Sequence, residues 1–249
     1  MKILITIDID WASEYAIQFT LETLKNLNIP FTVFSTHNSE YLNSIFNDIE
    51  IGLHPFFHPN SSHGKTYEET IENIFKLPYN LNAFRCHRFI RSNEISDLMK
   101  RKGMKCESNV CTNLETIPPF ENRNGLLEIP IFYEDGSYLL NNNVLDINSI
   151  PGKKFFEGTE NDIKTILIHP MHFVINTPNW KYMSDIKNKI SRKEWNSLNK
   201  HQIKKIDFNG IGLRTFILEI INKYKNTDTK FTTVGKQMEN NIFRKYAKS

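Results

Sequence analysis

Asp8 and Asp10 stand two residues apart at the end of an apolar run, Met1-Lys-Ile-Leu-Ile-Thr-Ile-Asp-Ile-Asp-Trp11. A period of two puts Leu4, Thr6, Asp8 and Asp10 on one face of a strand and Ile3, Ile5, Ile7 and Ile9 on the other. Ionised carboxylates on a buried strand end are costly unless a metal, a cation or several donors hold them. An N-cap explains Asp10 before Trp-Ala-Ser-Glu well enough. It explains Asp8 poorly, since Asp8 lies too early to cap the same helix.

Three further segments carry groups that could meet these acids. His54, His58 and His63 lie in Ile51-Gly-Leu-His-Pro-Phe-Phe-His-Pro-Asn-Ser-Ser-His-Gly64, three of the chain's eight histidines. Pro55 and Pro59 bar a long helix there and constrain the turn. Neutral imidazoles this close together suit a divalent metal, whereas protonated ones would repel. His169 ends the apolar stretch Thr165-Ile-Leu-Ile-His, and His172 follows within a turn. Arg85, in Ala83-Phe-Arg-Cys-His-Arg-Phe89, emerges from apolar sequence and needs a carboxylate; Asp8 is the candidate. Arg88 and Arg91 are expected at the surface.

Alternating strand-like and helix-like stretches must position these groups. Strands are expected over 2–9, 31–35, 50–54, 83–86, 126–133 and 163–169. Helices are expected over 12–27, 66–76 (with Thr66 and Glu69 as a capping box), 92–102 (closed by Gly103) and 213–224. The alternation predicts a parallel sheet or barrel with helices outside, whose strand carboxyl ends gather the ligand groups. Residues 176–209, polar and lysine-rich with Trp180, Tyr182 and Trp195, read as a solvated helical excursion rather than a lid. The final stretch reads as a surface helix.

With 249 residues the chain suits one domain over 1–249. No stretch approaches ~18 uninterrupted apolar residues, so no membrane span is expected. The first residues lack a signal-peptide pattern, and three cysteines form no CxxC pair, both favouring a cytoplasmic location. A net charge of +3, with lysines scattered among acids, argues against nucleic-acid binding.

Taken in order, these segments resemble the polysaccharide deacetylases, metal-dependent carbohydrate esterases on a distorted (β/α) barrel. Thr6-Ile-Asp-Ile-Asp10 is similar to the family's first motif, a base aspartate followed by a metal-binding one. His54-Pro-Phe-Phe-His58-Pro59 is similar to its His-x-x-x-His-Pro metal motif. Arg85 matches the arginine that orients the base, and Leu167-Ile-His169 the motif that supplies the general acid. There are departures. Ile9 splits the usually adjacent aspartates, and Arg85-Cys-His87-Arg replaces an Arg-x-Pro-aromatic motif that carries the oxyanion contact. Ser61-Ser-His63-Gly and His169-Pro-Met-His172 look like a branch associated with polysaccharide biosynthesis.

The resemblance implies removal of an N-acetyl or other small N-acyl group from a sugar or glycan precursor. It implies a divalent metal, zinc first, on Asp10, His54 and either His58 or His63, with an open position for water. Asp8 would be the general base, Arg85 its orienter and His169 the acid, with His172 or His87 supporting them. The role of 129–135, at the place of the fourth motif, stays open. An amidohydrolase opening cyclic amides and a carbohydrate-binding relative without turnover are the alternatives.

Overall fold

The computed structural model describes residues 1–59 and 61–246. Its sheet is curled and mostly parallel: β1 (Lys2–Asp8), β2 (Phe31–Ser35), β3 (Glu50–Leu53), β4 (Ala83–Phe84), β5 (Cys106–Glu107), β6 (Phe120–Glu121), β7 (Leu127–Glu128), β8 (Tyr133–Glu134), β9 (Ile163–Ile168) and β10 (Lys230–Thr232). The order across it is β6-β7-β5-β4-β3-β2-β1-β9-β8, with β10 beside β1, and among the described residues only the β6–β7 pair is antiparallel. The fold is the expected α/β class, a distorted (β/α) half-barrel with helices outside.

β1 is central because it is apolar on both faces. It pairs with β9 along Lys2–Ile7 on one edge. The other edge is shared: β10 takes Lys2–Leu4 and β2 takes Ile5–Asp8. The face bearing Ile3, Ile5, Ile7 and Ile9 packs with Ala16, Ile17, Leu21 and Leu24 of the helix Glu14–Asn26 and with Phe216, Ile217 and Ile220 of the helix Leu213–Lys225. The opposite face turns inward, where Leu4 meets Phe34, Ala83, Cys106 and Ile129. Thr6 and Asp8 follow Leu4 up this interior, toward the carboxyl ends of the strands. Gly52 lets β3 approach β4 closely: a Cβ there would lie 2.6 Å from the Ala83 carbonyl oxygen.

The expected capping at Thr66 differs in one bond. Thr66 Oγ1 accepts from the Glu69 N–H, but Glu69 reaches one residue further back and accepts from the Lys65 N–H at 2.7 Å. Ser92 caps the helix Asn93–Arg101, and Gly103, with φ +94, follows its end.

The stretch 126–133, expected as one strand, is instead two short strands that lie at opposite ends of the sheet. β7 pairs with β5, β8 pairs with β9, and the residues between them close the gap. Pro130 lacks the N–H that a continuous ladder needs. Around it, the Ile129 N–H donates to the Glu107 carbonyl and the Phe132 N–H to the Thr165 carbonyl. Among the described residues, no helix is long and apolar enough to cross a membrane.

Candidate active site

The site begins where β1 ends. Asp8 is buried, and the chain then turns sharply: Asp10 and Trp11 have φ values of 41° and 53°. Two successive non-glycine residues in the left-handed region cost of order 1–2 kcal/mol each and persist only where their surroundings hold them. Ser13, not Asp10, caps the following helix, its Oγ accepting from the Ala16 N–H. The N-cap account of Asp10 therefore lapses, and its carboxylate faces the cleft.

Arg85 is fully buried and binds Asp8 Oδ1 at 2.8 Å. The same Nη1 donates to Thr6 Oγ1, while Nη2 and Nε donate to Ser108 Oγ and the Ser108 carbonyl. With every branch of the guanidinium occupied, Asp8 Oδ1 is fixed. Its Oδ2 lies 3.6 Å from His54 Nε2.

Three ligand-type groups converge beside it. His54 Nε2 and His87 Nδ1 each lie 3.0 Å from Asp10 Oδ1, and the three groups offer atoms within 4.8 Å of one another. Ligands held tetrahedrally at the usual zinc distances of about 2.0–2.1 Å are separated by roughly 3.3 Å, close to these spacings. A carboxylate with two imidazoles is a donor set zinc accepts, and the residues present fit such an ion. His87 arrives from the turn after β4, where Arg88 and Phe89 both have positive φ (58° and 54°).

This differs from the expected ligand set, in which His58 or His63 was third and His87 only a supporting residue. His63 has both ring nitrogens committed to backbone: Nδ1 accepts from the Phe56 N–H at 3.1 Å and Nε2 donates to the Thr36 carbonyl at 2.8 Å. Burial pushes its pKa down to about 4, keeping the ring neutral. His58 is exposed and stacks on Phe56, with ring centroids 5.4 Å apart. The His-x-x-x-His spacing therefore places His54 on Asp10 and His58 on Phe56, not both rings at one point.

A second group, Glu134, Asp135 and His169, lies opposite. Its members are bound to one another. Asp135 accepts from the His169 N–H at 2.7 Å and meets its Nδ1 at 2.5 Å, while Glu134 accepts from the N–H groups of Gly136 and Ser137. His169 Nε2 is left facing Asp10 Oδ2 at 3.5 Å. Burial alone would lower the pKa of His169, but Asp135, Asp10 and Glu134 override it and hold the pKa well above the ordinary imidazole value. His172 is buried beside it, with ring centroids 6.1 Å apart and Nδ1 3.3 Å from Thr177 Oγ1. Asp135 ends the stretch 129–135 whose role the sequence left open; it opens a short helix directly after β8, and its partner is His169.

These groups line a cleft of about 580 Å³. Residues 176–209 are not a mere solvated excursion. The helices Trp180–Lys187 and Arg192–Asn196 and the link between them form one wall, contributing Trp180, Lys187, Ile190, Arg192 and Trp195. Arg88 lies on the rim, exposed as expected; Arg91, also exposed, sits 3.9 Å from buried Glu128.

The same fold occurs in solved deacetylase structures. One is a candidate polysaccharide deacetylase involved in O-antigen biosynthesis from Bordetella bronchiseptica, 21% identical over 89% of this chain and 90% of that one, with a TM-score of 0.76. Another, a candidate polysaccharide deacetylase from Mycobacterium smegmatis, is 14% identical over 98% and 91%, with a TM-score of 0.53. The fold is therefore that of the polysaccharide deacetylases. The family model of the WbmS-like polysaccharide deacetylases matches residues 5–187, and the chain belongs to that family. No curated protein sequence matches it.

Proposed function

We propose that the chain is a divalent-metal hydrolase removing an N-acetyl, or other small N-acyl, group from a sugar in glycan-precursor synthesis. Sugar N-deacetylation in polysaccharide biosynthesis is the activity its family membership carries. The observation that supports this chemistry best is the convergence of His54 and His87 on Asp10, with Asp8 to one side and His169 to the other.

Asp10, His54 and His87 would hold the ion. Bound there, a zinc-type ion would acidify a water and polarise the acyl carbonyl. Asp8 would act as the general base, accepting a proton at Oδ2 while Arg85 fixes its Oδ1. His169 holds a proton at neutral pH and gives it from Nε2 to the departing amine. Asp135, on Nδ1, fixes the tautomer and ring plane, the usual role of a carboxylate behind a catalytic imidazole. The whole chain, 1–249, works in this reading as one catalytic domain. A cytoplasmic location accords with free thiols at Cys86, Cys106 and Cys111.

The test is acetate and amine release from N-acetylated sugars and sugar nucleotides, before and after metal chelation and re-addition, with cyclic ureides in parallel. Metal-dependent acetate release is the expected result. Ureide opening without sugar deacylation would move the chain to the amidohydrolases, and no turnover of either set would favour a binding relative.

A further inference from the structure

The acids that line the cleft have partners: Asp8 has Arg85, Asp10 has His54 and His87, and Glu134, with the buried Asp135 beside it, has His169. Three cations on the wall and rim do not. Arg88, Lys187 and Arg192 line the cleft and are exposed. Among the described residues none of them has a carboxylate within ion-pair distance or a side-chain hydrogen bond. Each lies over an aromatic ring instead. Arg88 is 5.8 Å from the centre of Phe56, Lys187 5.3 Å from Trp195 and Arg192 5.0 Å from Trp11.

Lysine and arginine on a surface are ordinary, but the arrangement here is selective. The acids of the same wall segment turn elsewhere: Asp185 pairs with Lys181 at 2.6 Å, and Glu194 is bonded to its own cap, Ser191. Loss of solvent on the cleft side pushes the Lys187 ammonium below its ordinary pKa. Asp10 and Asp135 draw it back up, and Arg88 adds like-charge repulsion. A cation over a ring is held in place by about 0.5–2 kcal/mol without being neutralised. Guanidinium groups so placed present their donors to a planar or tetrahedral anion.

We propose that the substrate is an anionic N-acyl sugar, carrying a carboxylate or phosphate that Arg88, Lys187 and Arg192 receive while the acyl group lies at Asp8, Asp10 and His169. The idea rests on the deacetylase reading and narrows its substrate class. Neutral N-acyl sugars then lack the group that the wall is built to meet.

The chain's only three tryptophans, Trp11, Trp180 and Trp195, all line this cleft, so intrinsic fluorescence reports its occupancy directly. Wild-type protein is titrated with N-acetylglucosamine, its 1-phosphate and N-acetylglucosaminuronate at low and high salt. At least one acidic sugar is expected to bind about tenfold or more tightly than the neutral one, with the advantage shrinking as salt rises. The double variant Lys187→Met, Arg192→Met should bring the acidic sugars to within about twofold of the neutral one. Which acidic sugar leads distinguishes carboxylate from phosphate. Equal affinities, including no measurable binding by any of the three, overturn the proposal, as does an advantage that survives in the variant. Acetate release from the same sugars is read separately, so failure of turnover counts against deacetylation and leaves the binding result to decide the anion.

Discussion

Asp135 grips His169 at two points, its backbone N–H at 2.7 Å and its ring Nδ1 at 2.5 Å. The first bond sets where the residue starts and the second sets which ring nitrogen carries the proton toward the cleft. Because Asp135 follows β8 and His169 follows β9, the pairing of these two strands is what holds the grip.

Replacing Asp135 by Asn should therefore lower kcat by about 10²–10⁴, the usual worth of a positioned acid–base group. The carboxylate that raises His169 is lost, so the high-pH limb of the rate profile should move down toward the ordinary imidazole value near 6.5. Initial rates across pH check this. An unmoved limb would mean that another group donates the proton.

Metal affinity should divide the histidines. His54→Ala and His87→Ala should each weaken zinc binding by at least the roughly 10–100-fold typical of losing an outer partner of a ligand. His58→Ala should leave it within about twofold. His63→Ala should lower stability, through the unpaired Phe56 N–H and Thr36 carbonyl, more than it lowers affinity. Competition with a zinc chelator, alongside urea unfolding, separates the two effects.

Asp8 and Arg85 should part company when changed singly. Asp8→Asn should keep zinc while losing about 10²–10⁴ in kcat. Arg85→Met leaves a buried carboxylate uncompensated, at a cost of about 3–5 kcal/mol in stability. Bound-metal content and unfolding midpoints for the two variants provide the readout.

His63 and His172 are both pushed down to about 4 by burial. Such a group binds a proton in the unfolded chain below about 6.5 but not in the folded one until pH 4, so stability is full above 6.5 and falls as pH drops through this window. Each can contribute up to about 3 kcal/mol of that loss. The midpoint of urea unfolding should fall steeply between these pH values, and His172→Gln should flatten the fall.

Much of this was legible in the sequence. The Ile-rich run dictated β1, β2 fell at its expected bounds, and the isolated guanidinium of Arg85 pointed to Asp8. What stayed hidden was non-local. His87 reaches Asp10 only because a two-residue strand ends in a left-handed turn, and neither carries a periodic signal. His58 and His63 sit in a motif-like loop, but whether a loop histidine faces ion or backbone depends on partners such as Thr36. The stretch around Pro130 alternated well enough to read as one strand, although its halves pair at opposite ends of the sheet. The wall 180–196 looked solvated because its helices are short and bury few residues, Met183 and Trp195 among them.

The turn at Asp10 and Trp11 ties durability to chemistry at a single point in the chain. Asp10 offers its carboxylate to the cleft while its own backbone sits in a conformation that glycine would adopt at lower cost. Asp10→Gly should relieve that strain, raising the melting temperature, while removing the carboxylate that His54 and His87 share and so abolishing turnover. Selection for heat resistance alone would thus erode this position first, and a hardened descendant of the protein would be an inert one.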